Sequence, residues 1–244
     1  MFEVKGKVDV FRRMVETVSV IVSEVKLSAN EGELSIKAVD PAHVAMIDLR
    51  IKPEAYGKYS ASEMEIGIDL DKLNDIIKLA RGNDEIEAVY DEDSNRLIVS
   101  IGNLVRKMSL LDTTGMPDPK IPTLQFPAKV ELISEDLLMG IRAAESVSDY
   151  VAFITESDSF ELNAGTQEQM NQRFTKEQLL SIDCKEKVKS LFSLDYMLNM
   201  IKAVKAGEKL TLHTGNDYPV RMEFDIFDSK GKVAYLLAPR IENE

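Results

Sequence analysis

Apolar and polar residues alternate from the first positions of the chain, MFEVKGKVDVF, and this period of two predicts a strand that leads directly into the fold. The alternation recurs in LSIKAV, AMIDLRI, EIEAVY and RLIVSI of the first half, and in FITES, FELNAG, QLLSID, KLTLHT, VRMEFDIF and VAYLLA of the second. Turn-forming residues separate the runs: Asn30-Glu31-Gly32, Asp93-Ser94-Asn95, Gly102-Asn103, Asn216-Asp217 and Ser229-Lys230-Gly231. A second period lies between them. Phe11, Met14, Val15 and Val18 stand at i, i+3, i+4 and i+7, the spacing of one buried helix stripe. Leu73, Ile76, Ile77 and Ala80 repeat it, as do Leu137, Gly140, Ile141 and Ala144, and Met197, Met200, Ile201 and Val204.

The second and fourth of these helices are copies of one pattern. IDLDKLNDIIKLAR (68–81) lies without a gap over FSLDYMLNMIKAVK (192–205), with Leu70/Leu194, Asp71/Asp195, Ile77/Ile201 and Lys78/Lys202 identical. Each half therefore predicts two helices packed on an antiparallel sheet, an α+β chain of two similar domains. The join is TTGMPDPKIPTLQFPAKVEL (113–132), which holds four of the eight prolines. Proline fixes φ and pushes the preceding residue to extended geometry, so this stretch is neither helix nor central strand. It reads as a stiff extended crossover, and Met116, Ile121, Leu124 and Phe126 make it more apolar than a simple spacer. The expected division is a domain over 1–112, a connector over 113–127 and a second domain over 128–244.

At 244 residues with 44% apolar content the chain can bury a core in each half, and no apolar run reaches the roughly 18 residues that span a bilayer. The N-terminus lacks the basic-then-apolar order of a signal peptide, and the single cysteine makes an intracellular location the default; a cytoplasmic or nucleoid-associated chain without a membrane partner is expected. Cys184 is the single cysteine and His43 and His213 the two histidines, too few and too scattered for a disulfide or the usual zinc sites. No metal or cofactor is expected. Asp69 and Asp71 lie two apart at a strand-to-helix junction as metal ligands do, but Asp71 is read as the helix N-cap, repeated by Asp195. His43 follows Asp40-Pro41 and resembles a general base with an orienting carboxylate; lacking a nucleophile with a recognisable elbow, it reads better as a loop histidine at a binding site. His213, at a strand end, reads as structural. There is no Gly-x-x-x-x-Gly-Lys phosphate loop, so ATP hydrolysis by that route is excluded.

A net charge of −12 opposes tight wrapping of nucleic acid. The helices carry a local exception. At about 100° per residue, the position five after the start of a stripe lies at roughly 140°, away from the core. It is Lys78, Arg142 and Lys202 in three helices and Glu16 in the first, where Arg12 and Arg13 are also off the stripe. Sparse cations on a wide surface give weak, salt-sensitive, sequence-independent phosphate contact. No zinc-finger spacing, tryptophan or aromatic-rich basic stretch offers a stronger grip.

Several stretches resemble one family. LSIKAVDPAHVAMIDL (34–49) is similar to the strand, Asp-x-x-His-Val loop and following strand of the sliding clamp called proliferating cell nuclear antigen, in its archaeal and eukaryotic form. IGIDLDKLNDIIKLA resembles its second helix with the strand before it, and YLLAPRIE (235–242) its Ala-Pro-Lys-Ile-Glu ending, with Arg240 in place of lysine. The resemblance covers essentially the whole chain, and an ending at Glu244 without a longer acidic tail looks archaeal.

What the resemblance implies is a non-enzymatic DNA clamp fold in a homotrimeric ring, with helices lining a hole around duplex DNA, tethering DNA polymerase as a processivity factor in replication and repair. The implied DNA-facing residues are Arg12, Arg13, Lys72, Lys78, Arg81, Arg142, Lys202 and Lys205; Met139 falls where many relatives carry a basic residue. The strand from Val105 through Arg106, Lys107 and Met108 to Leu110 is implied to pair with the next subunit's Gln178 to Cys184, which includes Leu180 and Ile182, leaving Cys184 buried and inert. The connector implies a pocket for a peptide with a Gln, an aliphatic residue and two aromatics, formed by Val39, His43, Met116, Pro119, Ile121, Pro122, Pro219, Leu236, Ala238, Pro239 and Ile241. Implied users are DNA polymerase, clamp loader, flap endonuclease and DNA ligase. The alternatives are a subunit of a heterotrimeric clamp and, in another class, a hydrolase using Asp40 and His43.

Overall fold

The computed structural model describes residues 1–241. In chain order the elements are β1 (Phe2–Lys7), α1 (Val8–Ser19), β2 (Glu24–Ala29), β3 (Leu34–Val39), β4 (Ala45–Ile51), β5 (Lys58–Ala61), β6 (Met64–Asp69), α2 (Leu70–Ile77), β7 (Glu85–Asp91), β8 (Arg96–Ile101) and β9 (Leu104–Ser109). There follow β10 (Ala128–Ile133), α3 (Ser134–Glu145), β11 (Tyr150–Thr155), β12 (Ser159–Ala164), β13 (Met170–Thr175), β14 (Ser181–Cys184), β15 (Val188–Ser193), α4 (Leu194–Lys202), β16 (Lys209–Thr214), β17 (Val220–Ile226) and β18 (Gly231–Leu237). A short 3-10 turn spans Pro53–Ala55. Two compact units result. The first holds Met1–Pro41, Ile47–Lys120 and Asp225–Val233; the second holds Ala42–Met46, Ile121–Phe224 and the chain from Ala234 onward.

In the first unit, five strands run in the order β5-β1-β7-β8-β9, all antiparallel, with Val4 opposite Ala88 and Val99 opposite Arg106. A second antiparallel run is β3-β2-β6. The period of two sets one face of each strand inward: Phe2 and Val4, Ile86 and Ala88, Leu97 and Val99 meet Phe11 and Met14 of α1 and Leu73 of α2 around a small apolar void of about 20 Å3. Burying each such side chain is worth about 1.5–3 kcal/mol. That packing, more than helix propensity, holds a helix as short as the eight residues of α2.

The second unit repeats the plan with β13-β12-β11-β15 and β14-β10-β16-β17. Its core is aromatic where the first is mostly aliphatic. Phe153 meets Phe160 and Phe192 edge to face at 5.3 Å each, and Phe174 stacks on Phe160 at 6.0 Å. The four stripe sets read from the sequence are all buried, although Ala80 and Val204 lie just past the ends of α2 and α4. Glycine serves close approach at two places. A Cβ on Gly67 would stand 2.4 Å from the Leu111 carbonyl oxygen, and one on Gly140 1.8 Å from Gln172 Oε1. The first lets Leu111 N–H bond Gly67 O at 2.9 Å, fastening the chain to β6 just before the connector; the second lets β13 lie close under α3.

Two local readings are corrected. The cap of α2 is Asp69, whose extended backbone (φ −81°, ψ 108°) lets its carboxylate accept from Lys72 N at 3.0 Å; Asp71 is already inside the first turn. Asp195 likewise sits in the first turn of α4, preceded by Ser193, which makes no side-chain cap bond. The predicted strand QLLSID is shorter: the chain at Gln178 and Leu179 turns back through bonds to Thr175 O, and pairing begins at Ser181.

Glu131 on β10 ties two strands together. Its carboxylate oxygens lie 2.8 Å from Lys129 Nζ and 2.8 Å from Lys209 Nζ, hydrogen bonds that hold the carboxyl down at about 2. A carboxyl depressed in the folded state stabilises above its unfolded value of about 4.3, and that stabilisation is lost as pH falls toward the folded value. Glu131→Gln is expected to lower stability near neutral pH and to flatten the loss between about pH 4.5 and 2. Urea unfolding of both proteins across that range checks it.

Candidate functional site

Two kinds of surface are found in each unit by itself, one on its helices and one where the connector lies on it. On α1, Arg13 does not reach solvent. It is 5% exposed, on the flank with Val10 and Thr17, because the buried arc of this helix is wider than its four-residue stripe. Arg13 is therefore removed from the solvent-facing cations. Arg12 is half-buried, donates to Asp9 Oδ1 at 2.8 Å and reaches Ala80 O at 3.3 Å. Lys72, Lys78, Arg81, Arg142, Lys202 and Lys205 are all exposed. Lys72 is held 2.7 Å from Asp69, a hydrogen bond that lowers the carboxyl and raises the ammonium from their ordinary values.

These cations share their helices with acids, and on α2, α3 and α4 an acid stands in the first turn and a cation near the end, with Lys72 and Glu145 as exceptions. Asp71 opens α2, Glu135 and Asp136 open α3 and Asp195 opens α4, whereas Lys78, Arg142 and Lys202 close the same helices. This order satisfies the helix dipoles. The outcome is a thin scatter of positive ends and no continuous basic field, suited to weak phosphate contact that salt screens. Met139, on α3, is 62% exposed among them.

The connector leaves the first unit through a tight turn in which Asp112 Oδ1 accepts from Thr114 N at 2.9 Å and from its hydroxyl at 2.6 Å, and Met116 N donates to Thr113 O. Within that unit Met116 and Val39 share a groove of about 240 Å3 with Val25, Ala38 and Pro117, flanked by Glu24, Lys26 and Lys37. Pro119 is half-buried. In the second unit Ile121 is half-buried and Pro122 exposed, and Phe126 is clasped by His213 and Tyr218, each ring 5.5 Å away. His213 Nε2 lies 2.9 Å from Glu223, which also receives Arg221; the His213 bond is the main reason that Glu223 stays below its ordinary value. Pro219 follows Tyr218 and is half-buried.

His43 is exposed on a left-handed turn (φ 57°), and two residues of its loop's neighbourhood are fixed by Ala238 N donating to Val44 O at 2.9 Å. Ala238 and Pro239 are half-buried, Ile241 is 66% exposed, and Leu236 is 5% exposed inside β18. Among the described residues no cluster of three or more His, Cys, Asp or Glu is placed to hold a metal ion.

The sheet edges are the third feature. Among the described residues β9 pairs only with β8; Val105 is 56% and the neighbouring Leu104 43% exposed, Lys107 is exposed, Arg106 and Leu110 half-buried and Met108 buried. Among the described residues β14 pairs only with β10; Gln178 and Leu180 precede it, Leu180 54% exposed with its N–H donating to Glu131 O at 2.8 Å, and Ile182 is half-buried. Cys184 is buried, its thiol donating to Glu186 O at 2.9 Å and raised by that burial. β13 is a further open edge, six residues long. Leu79, 67% exposed, was absent from the sequence-derived sets; an apolar residue off the stripe, beside Lys78, is the signal that marks it.

Comparison with known proteins adds three findings. The profile described as "Proliferating cell nuclear antigen, N-terminal domain" matches residues 1–111, and that described as "Proliferating cell nuclear antigen, C-terminal domain" matches 120–240. A DNA polymerase sliding clamp of Methanococcoides burtonii is 37% identical over 98% of this chain and 99% of its own, and one of Halobacterium salinarum 35% identical over the full length of both. The structure titled "C-terminal region of FEN-1 bound to A. fulgidus PCNA" superposes with a TM-score of 0.94 at 32% identity over all of both chains. That of PCNA from Thermococcus kodakaraensis superposes at 0.91 with 25% identity, over 98% of this chain and all of that one.

Proposed function

Because the chain belongs to the proliferating cell nuclear antigen family of DNA polymerase sliding clamps, we propose that it works as a closed ring of three identical copies around duplex DNA. The observation that carries this reading is the open, apolar-flanked edge in each unit: β9 with Leu104 and Val105 in the first, and β13 or β14 with Met139 and Leu180 in the second. Exposed edges with unpaired N–H and C=O groups invite pairing, and a heterologous pairing that closes on itself makes a ring. Of the two candidate edges, the six-residue β13 matches the six residues of β9, while the shortened β14 offers four. The favoured partner of Val105–Leu110 is therefore β13, with the segment from Gln178 alongside it.

In that ring Arg12, Lys72, Lys78, Arg81, Arg142, Lys202 and Lys205 face the duplex. Topological linkage removes the need for affinity, so mixed charge on the helices is enough to slide. Tethering then raises polymerase processivity through effective concentration, since a partner held on the ring cannot diffuse away between steps. The structure of an archaeal relative with the C-terminal region of FEN-1 supports a flap endonuclease as one such partner, with DNA polymerase, DNA ligase and the clamp loader engaging through similar short peptides. The pocket residues read from the sequence would receive an aliphatic and two aromatic anchors, the usual hot-spot chemistry. The clamp itself has no catalytic role. No observation favours a hydrolase built on Asp40 and His43, and the alternative of a heterotrimeric clamp differs only in which edges meet.

Two outcomes test this. The triple variant Lys78→Ala, Arg142→Ala, Lys202→Ala is expected to reduce stimulation of a polymerase on primed circular DNA several-fold at moderate salt while peptide binding stays intact; unchanged stimulation removes these residues from the DNA face. Ile121→Asp is expected to weaken a Gln-x-x-Leu-x-x-Phe-Phe peptide by roughly a hundredfold, because a buried unpaired carboxylate replaces an apolar contact. Unaltered affinity by fluorescence anisotropy would place the pocket elsewhere.

A further inference from the structure

The last described turn of chain is fastened in an unusual way. Arg240 N donates to Leu191 O at 2.7 Å, an isolated antiparallel bridge to β15. Its guanidinium carbon lies 4.1 Å from the centroid of the Tyr150 ring, and Nη1 donates to the Tyr150 hydroxyl. Tyr150 is a firm platform: it opens β11, pairs with Ser193 of β15, and its own N–H is held by Ser148 Oγ at 3.1 Å. Two residues earlier, Ala238 N is bonded to Val44 O at 2.9 Å. The segment is thus pinned at alternate residues, with Pro239 stiffening the link between them.

We infer that Arg240 is a positioning residue of the partner pocket: stacked on Tyr150, it holds Ala238–Ile241 extended and turns Pro239 and Ile241 outward as a preformed wall for an apolar peptide. Side chains of an extended segment alternate faces, so with Arg240 turned down onto Tyr150 its two neighbours take the other face. Ile241 is accordingly 66% exposed, an isoleucine kept in water. A wall ordered in advance spares the peptide the entropic cost of ordering it. Arginine suits the task where lysine does not. Its planar guanidinium stacks on the ring and still donates at the edge, while an ammonium makes one point contact and is drawn to water. This inference rests on the pocket reading above and assigns a cause to the one position where the family-like ending departs from lysine.

The experiment titrates the Gln-x-x-Leu-x-x-Phe-Phe peptide against wild type, Arg240→Ala, Arg240→Lys and Tyr150→Phe, and follows amide exchange over 238–241 in each without peptide. Arg240→Ala is expected to weaken binding roughly tenfold, equal to about 1.4 kcal/mol, chiefly through faster dissociation. Arg240→Lys is expected to fall nearly as far, and Tyr150→Phe, which keeps the ring and loses the hydroxyl, only about two- to threefold. Exchange at 240 and 241 should rise in the same order, with thermal midpoints within a few degrees of wild type. Binding of Arg240→Ala within twofold of wild type, or full rescue by lysine, overturns the inference. If the wild type itself ignores the peptide, the pocket reading fails, and exchange at 240 and 241 still decides the latch: unchanged rates in Arg240→Ala would overturn it.

Discussion

An open strand edge is the constraint on which the rest depends. Backbone N–H and C=O groups left without partners at the rim of a sheet are a liability unless something pairs or covers them, and soluble chains usually blunt them with charge, proline or a bulge. β9 is blunted on only part of its length: Lys107 and Arg106 stand on it, yet Leu104 and Val105 are exposed at its start. β13 is bare of proline and lies beneath α3, whose Met139 is also exposed. Each unit thereby keeps at least one unfinished edge, and the completion proposed here is another copy of the same chain. The helices and the connector acquire their proposed roles only if that completion closes.

Given closure, the modest chemistry of the helix surface becomes sufficient. Acids at helix starts and bases at helix ends serve the dipoles first, and the bases are what remains for phosphates. A grip strong enough to hold DNA by affinity would need a continuous basic field, and acids in the first turns of α2, α3 and α4 interrupt the cations on these helices. The connector works on a different principle. Its prolines keep it extended, Leu111 bonded to Gly67 fixes the chain on one side of it, and Phe126 between His213 and Tyr218 anchors it in the second unit. A peptide docking there as proposed would meet a strip already ordered on folding.

Much of this was legible in the residues. LSIKAV, AMIDLRI, RLIVSI and KLTLHT coincide with β3, β4, β8 and β16 to the residue, because half-buried strands must alternate. The four stripes named the helices for the same reason. MNQRFT and KYSA did not register as strands, since an edge with solvent on one side and little core on the other has no need to alternate strictly. The caps slipped by a residue or two because Asp69 and Asp71 carry the same side chain, and only backbone geometry tells which precedes the first turn. Arg13 was misplaced by drawing the buried arc of α1 too narrow, an error that composition cannot reveal when a charged residue is folded inward. The partner pocket owed most to resemblance: its residues are scattered along the chain, and nothing in their spacing joins them.

The native mass in solution bears most directly on the central claim that the open edges find one another and close. Light scattering at micromolar concentration, in low and in moderate salt, should give about 82 kDa, three times the 27.4 kDa of one chain. A stable particle of 27.4 kDa under both conditions would contradict it, because the exposed edges would then have no copy of this chain as their partner.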